Sequence, residues 1–427
     1  MGAGDDREGV LGFAALPGCI YVRRGVLWLI LGLSSLLAGL AACLAAAAAV
    51  RQPTVFLIAG CVTATAIWLL GVAGVRRRHA AKAAPRGGVV ASVLAAVALG
   101  GLVPGLLVPL GDPREEPAAP PGAGQWTLTD GTRLAYGVIH TDPSAGRAAL
   151  PPVVVLHGGP GVPDLAGMLT ALRPVAAAGH DVYAYAQLGA GGSSRLSDPS
   201  GYTVQRAVAD LEQIRRQISG PRILVLGHSY GGYLAAAYLT AHPDRVAGVV
   251  FSSPGDLRDG LSGAALQSRL SLREKLATYR LLVRPRALLA YGLTQVDPAS
   301  AHAFAGDAEL DARMDRVYAA TEPATHCPGV RGPVLHGLGF YANQVPQSAT
   351  APPAPVLREA LRGIDVSALV ITGECDYLPR SASDGYLQVL PQSQVVRLQG
   401  AGHDAYFDRP TAYADAVITF LHGIDSR

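Results

Sequence analysis

Three apolar stretches without a single Asp, Glu, Lys or Arg occupy much of the first quarter of the chain, at 26–50, 54–75 and 87–111. At about 1.5 Å per residue each is long enough to cross a hydrocarbon core of roughly 30 Å. The first is too long for the apolar part of a signal peptide and two more follow it, so three transmembrane helices are expected. Pro104 and Pro109 interrupt the third. The pattern then changes. Residues 112–124 are rich in Pro, Gly and acids and read as a linker. From 125 to 427 short apolar runs alternate with helical patterns. WTLTDGTRLAYGVI reads as a hairpin around Asp130-Gly131. PVVVLH, DVYAYA, ILVLGHS, VAGVVFSS, ALVITGE and QVVRLQ read as strands, most of them continuous, as for strands covered on both faces. TVQRAVADLEQIRRQI puts Val204, Ala207, Val208, Leu211 and Ile214 on one helical stripe. Strands alternating with helices predict a mostly parallel α/β sheet with helices on both faces. The alternation lapses between about 257 and 363, where only helical patterns and prolines occur. An insertion of that length predicts a helical cap over the sheet's C-terminal edge, where such sheets bind ligands.

Charge adds an orientation. Half of the 427 residues are hydrophobic and only 16% are charged, with a formal net charge of +3. That balance points to a membrane and to no nucleic-acid partner. Arg7, Arg23 and Arg24 precede the first span, and Arg76, Arg77, Arg78, Lys82 and Arg86 lie between the second and third. Only Arg51 and Arg114 lie on the other side. Basic loops stay inside, so everything after 111 is expected outside the cytoplasmic membrane. Two of the five cysteines, Cys327 and Cys375, then lie in an oxidising compartment, where pairing is allowed but not fixed by spacing.

The candidate chemistry centres on ILVLGHSYGGYLAAAYL. A buried-strand pattern turns into a helix pattern at Ser229, flanked by Gly227 and Gly231. Such a turn is strained and holds the hydroxyl out beside a helix N-terminus. A serine needs a base. His403, in LQGAGHDAYFDRP, follows the last strand run and precedes the final helix. For the acid, Asp376 in ALVITGECDYLP follows a strand and precedes the histidine, with Asp256 in VVFSSPGD as its rival. An oxyanion site needs backbone N–H groups aimed at developing charge. The loop His157-Gly158-Gly159-Pro160-Gly161 and the start of the helix after Ser229 supply Gly159 and Tyr230 for that role. The ring of His157 is expected to brace its loop. No His/Cys/carboxylate cluster has ligand spacing, so neither metal nor organic cofactor is implied.

These motifs resemble the α/β-hydrolase superfamily, and within it the proline iminopeptidases and related serine aminopeptidases. HGGPG is characteristic of that branch, GHSYGG is similar to its nucleophile elbow, and GECD and GAGHD resemble the segments bearing its acid and histidine. The resemblance covers residues 125–427 and implies an α/β-hydrolase fold with a cap, acting on a small-molecule or short-peptide substrate. One segment departs from the family. AQLGAGGSS has Ala186 and Leu188 where D-Q-R-G-x-G-x-S has its charged residues. Aminopeptidases of this branch hold the substrate amine with carboxylates helped by the cap, which implies Glu274, Glu309 or Glu322 here. The expected function is a membrane-anchored serine hydrolase of proline iminopeptidase type. An esterase or lactonase with the same triad is the first alternative, and a catalytically silent binding protein on this fold the second.

Overall fold

The computed structural model describes residues 17–79, 104–142, 150–218, 220–257, 263–349 and 354–426. The chain divides into two compact units, Met1–Pro104 and Gly105–Arg427. In the first, helices Pro17–Ala49 and Pro53–His79 form a hairpin. They approach closely because the facing positions are small: a Cβ on Gly39 would meet Ala64 Cβ at 2.7 Å, and one on Gly60 would meet Cys43 Cβ at 2.9 Å. Val26–Ala49 and Pro53–Val75 are long and apolar enough to cross a membrane.

The third expected span needs correction at its end. Residues 87–103 lie outside the described residues, but 105–111 belong to the second unit. Leu106 O accepts from Arg286 Nη1 at 2.8 Å, and the Leu110 N–H donates to Glu309 at 2.9 Å. The stretch read as a linker is laid on that unit too. Asp112 is buried in an ion pair with Arg313 at 2.9 Å and also contacts Arg316, and Pro121 O accepts from the Val138 N–H. An acid beside two cap arginines docks where sequence composition alone reads as free chain.

The second unit is built on eight strands: β1 (Gly124–Thr127), β2 (Arg133–Ile139), β3 (Val153–Leu156), β4 (Val182–Tyr185), β5 (Ile223–His228), β6 (Val246–Ser252), β7 (Ala368–Gly373) and β8 (Ser393–Leu398). Their order is β1-β2-β4-β3-β5-β6-β7-β8. The β1–β2 hairpin joins β4 antiparallel, and all remaining pairs are parallel. Every residue of β3 and β5 is buried, which explains their unbroken apolar runs. Helix Val204–Gln217 buries Val204, Leu211 and Ile214, while Thr203 caps it by accepting from the Arg206 N–H. Between β6 and β7 the described chain is helical, with helices from Gly263–Arg269 to Ala354–Leu361. This arrangement directs the loops after β3, β5, β7 and β8 to one edge of the sheet.

Candidate active site

Ser229 follows β5 directly and adopts φ 54°, ψ −118°, a conformation that non-glycine residues rarely hold. The neighbouring glycines make the turn possible. A Cβ on Gly227 would strike Gly231 O, and one on Gly231 would strike Leu156 O. The helix Tyr230–Ala241 begins on the next residue, so the Tyr230 N–H is one of the amides that a helix start leaves without an intrahelical acceptor. On the other side, a Cβ on Gly158 would lie 3.0 Å from Ser229 Cβ, so the loop after β3 passes directly over the serine. Gly159, with φ 111°, belongs to that loop.

His403 lies buried five residues beyond β8, and its Nδ1–H donates to Asp376 Oδ1 at 2.9 Å. Asp376 lies three residues beyond β7 and also accepts from the Leu378 N–H at 2.9 Å. Burial would push the Asp376 carboxyl up, but the charge and hydrogen bond of His403 hold it below the usual range. Burial likewise pushes the His403 imidazole down, and the charge and hydrogen bond of Asp376 outweigh it, leaving His403 above its ordinary value. Ser229 and His403 line one cavity of about 260 Å³ together with Gly158 and Gly159. In chemical terms, the arrangement offers a hydroxyl and an imidazole paired with a carboxylate in one cavity, beside the loop of Gly158 and Gly159.

His157 braces its loop, as its hydrogen bonds define. Gln187 N–H donates to its Nε2 at 2.9 Å, so Nδ1 carries the proton and donates to Gly158 O at 2.9 Å. Burial lowers its pKa to about 4, which keeps the ring neutral. The segment with Ala186 and Leu188 is braced differently from the family pattern. Arg195 bonds Gly191 O and Ser193 O and pairs with Asp311 of the cap at 3.0 Å.

The cap glutamates are engaged by other groups of the protein. Glu274 closes a capping box with Ser271 at the start of helix Leu272–Leu282. Glu309 is held by Arg286 at 2.6 and 2.9 Å. Glu322 lies 3.0 Å from His326 Nε2. None of the three lines the cavity, which instead receives Asp164 and Asp404. Asp164 accepts from the Gly167 N–H and the Tyr406 hydroxyl. Asp404 accepts from His228 Nε2–H at 3.1 Å. Burial opposes its charge, yet the hydrogen bond and charge of His228, with His403 and His326 nearby, lower its pKa to about 2. Sequence reasoning also passed over Tyr377. Its ring centroid lies 4.4 Å from that of His403, and it lines the same cavity as Ser229. The adjacency of Asp404 to His403 and of Tyr377 to Asp376 was the available signal.

The family model for the alpha/beta hydrolase fold matches residues 151–410. The proline iminopeptidase of Heyndrickxia coagulans is 43% identical over 103 residues, 24% of this chain and 35% of that protein. This chain therefore spans about a third of the length of that relative. A putative 2-succinyl-6-hydroxy-2,4-cyclohexadiene-1-carboxylate synthase of Bacillus subtilis is 26% identical over 299 residues, 70% of this chain and 98% of that protein. The solved proline iminopeptidase of Mycobacterium smegmatis is 22% identical, covering 71% of this chain and 98% of its own, with a TM-score of 0.48. Among its sequence relatives the chain is similar to the proline iminopeptidase-like branch. With the family model spanning more than half of its length, the chain belongs to the α/β-hydrolase fold family.

Proposed function

We propose that the protein is a membrane-anchored serine hydrolase in which Ser229 attacks a carbonyl, His403 takes and returns the proton, and Asp376 orients the imidazole. The Gly159 and Tyr230 N–H groups receive the oxyanion, and water releases the acyl group. The observation carrying this reading is the His403–Asp376 hydrogen bond on the wall of the cavity that also holds Ser229. Labelling of the full-length protein by a fluorophosphonate probe, lost in Ser229→Ala, tests it; equal labelling of both would defeat it by moving the nucleophile elsewhere, and no labelling of the parent would leave a binding protein.

The substrate class we infer is an aminoacyl compound, as for a proline iminopeptidase-type aminopeptidase. The carboxylates facing the cavity, Asp164 and Asp404, are then the partners for its amine, in place of the cap glutamates. An esterase or lactonase is the second reading. It is favoured by the prior engagement of both aspartates with protein donors. Comparing aminoacyl amides with simple acyl esters separates the two. Anchoring rests on the two apolar helices, and the placement of the hydrolase unit outside the plasma membrane rests on a third crossing by the uncharged residues 87–103. Co-flotation with vesicles and protease access in intact cells test the anchor and the side.

A further inference from the structure

The cap helix Leu272–Leu282 turns one apolar stripe outward. Leu272, Leu276, Tyr279 and Val283 recur at intervals of four, three and four, and all four are between 46% and 73% exposed. At 100° per residue they fall within one narrow sector. Thr278, on another side, is buried. Arg273 and Arg280 flank the stripe on one edge and Lys275 on the other, with Arg284 just beyond it. Glu274 is the sole acid between 269 and 286 and is committed to the helix cap. An apolar stripe edged by cations is the pattern of a helix lying in an anionic lipid interface.

The path of the chain gives this face its occupant. Residues 105–110 run beside the start of the next helix, Pro285–Val296. A Cβ on Gly105 would touch the Pro285 ring at 3.2 Å, and Arg286 holds Leu106 O. Leu107, Val108 and Leu288 are exposed there too. The chain that leads back to the apolar N-terminal helices thus enters the hydrolase unit next to Val283 and Arg284. The tether and the basic apolar face share one side of that unit.

We propose that this face docks the cap onto the surface of a bilayer containing anionic lipid. The proposal rests on the membrane-anchored reading above. Docking buries the stripe at the headgroup boundary and sets the flanking cations against lipid charge. It makes the cap, whose Leu266 and Tyr291 line the reaction cavity, a membrane-apposed element.

The test uses the full chain with Cys19, Cys43 and Cys61 replaced by alanine, in vesicles of phosphatidylcholine and phosphatidylglycerol. An environment-sensitive fluorophore is placed in Leu276→Cys and, as a control, in Val356→Cys, another exposed position. Expected is quenching by doxyl-labelled lipid at 276 and by aqueous iodide at 356. Arg273→Glu with Arg280→Glu should lower the docked-to-undocked ratio on the order of tenfold or more. Co-flotation with a water-exposed label at 276 overturns docking alone. Shielding of 276 from both quenchers means that residues 80–103 or a second copy cover the face, and also overturns it. Absence of co-flotation overturns the anchor reading and this proposal together.

Discussion

Cys327 and Cys375 form a disulfide with their Cα atoms 5.1 Å apart, joining the middle of the cap, just after the turn Glu322–Ala324, to the residue before Asp376. The same loop is held by the Cys375 N–H donating to Ala401 O at 2.8 Å, and Arg269 reaches both Cys375 O and His326 O. With the cysteines 48 positions apart in the sequence, loop closure contributes about 4 kcal/mol in the chain-entropy picture. Cys327→Ser should therefore cost roughly 2–4 kcal/mol in urea unfolding while changing kcat less than about tenfold, since other bonds keep the loop in place. Free thiols titrating at both positions in the native protein would contradict the bridge.

Ser229→Ala and His403→Ala should each lower kcat by about 10⁴ to 10⁶, with the double variant hardly worse, because residues acting as a unit are not additive. Steady-state kinetics on an acyl ester measures this. Activity of Ser229→Ala within tenfold of the parent would remove the mechanism.

The position of His403 gives a pH profile. Burial lowers its pKa and Asp376 raises it by more, so the folded value lies above the ordinary imidazole value of about 6.5. The base must be neutral, so kcat/KM should rise with pH through a midpoint above that value. Asp376→Asn takes away the charge that raises it. The midpoint should move down and kcat should fall by about 10⁴, whereas Asp256→Asn should leave both nearly unchanged. The reverse ranking would hand the acid's role to Asp256.

If the substrate carries a free amine, acetylating it should lower kcat/KM by roughly ten- to a hundredfold, the worth of one charge-assisted hydrogen bond. Asp164→Asn should shrink that discrimination and spare simple esters. Glu274→Gln and Glu309→Gln should not affect it, since those acids serve a helix cap and Arg286. Equal rates on free and acetylated substrates would leave the esterase reading.

Arg195→Ala strands the buried Asp311, whose carboxyl burial already raises to about 6. Removing one partner of a buried pair should cost roughly 3 kcal/mol in denaturant unfolding. Arg195→Lys should recover only part of it, because an ammonium cannot repeat the bonds of the guanidinium fork. Unchanged stability of Arg195→Ala would show that the loop does not depend on this pair.

The architecture was legible in the sequence wherever one residue type answers to one local constraint. Unbroken apolar runs mark β3 and β5 because both faces are covered, and Thr203 marks the start of its helix by accepting an amide proton. Glycines around Ser229 mark the elbow because a side chain at Gly227 or Gly231 would meet backbone. Long-range partners left no such local mark. Nothing in the chain order distinguishes Glu309, spent on Arg286, from Asp164, which reaches the cavity from the loop after β3. Asp112 reads as linker until Arg313 and Arg316 are beside it. Local sterics and hydrogen bonding act over a few residues and are written in the sequence; which charge meets which depends on the packing of segments more than 200 residues apart in places, and only the tertiary structure decides it.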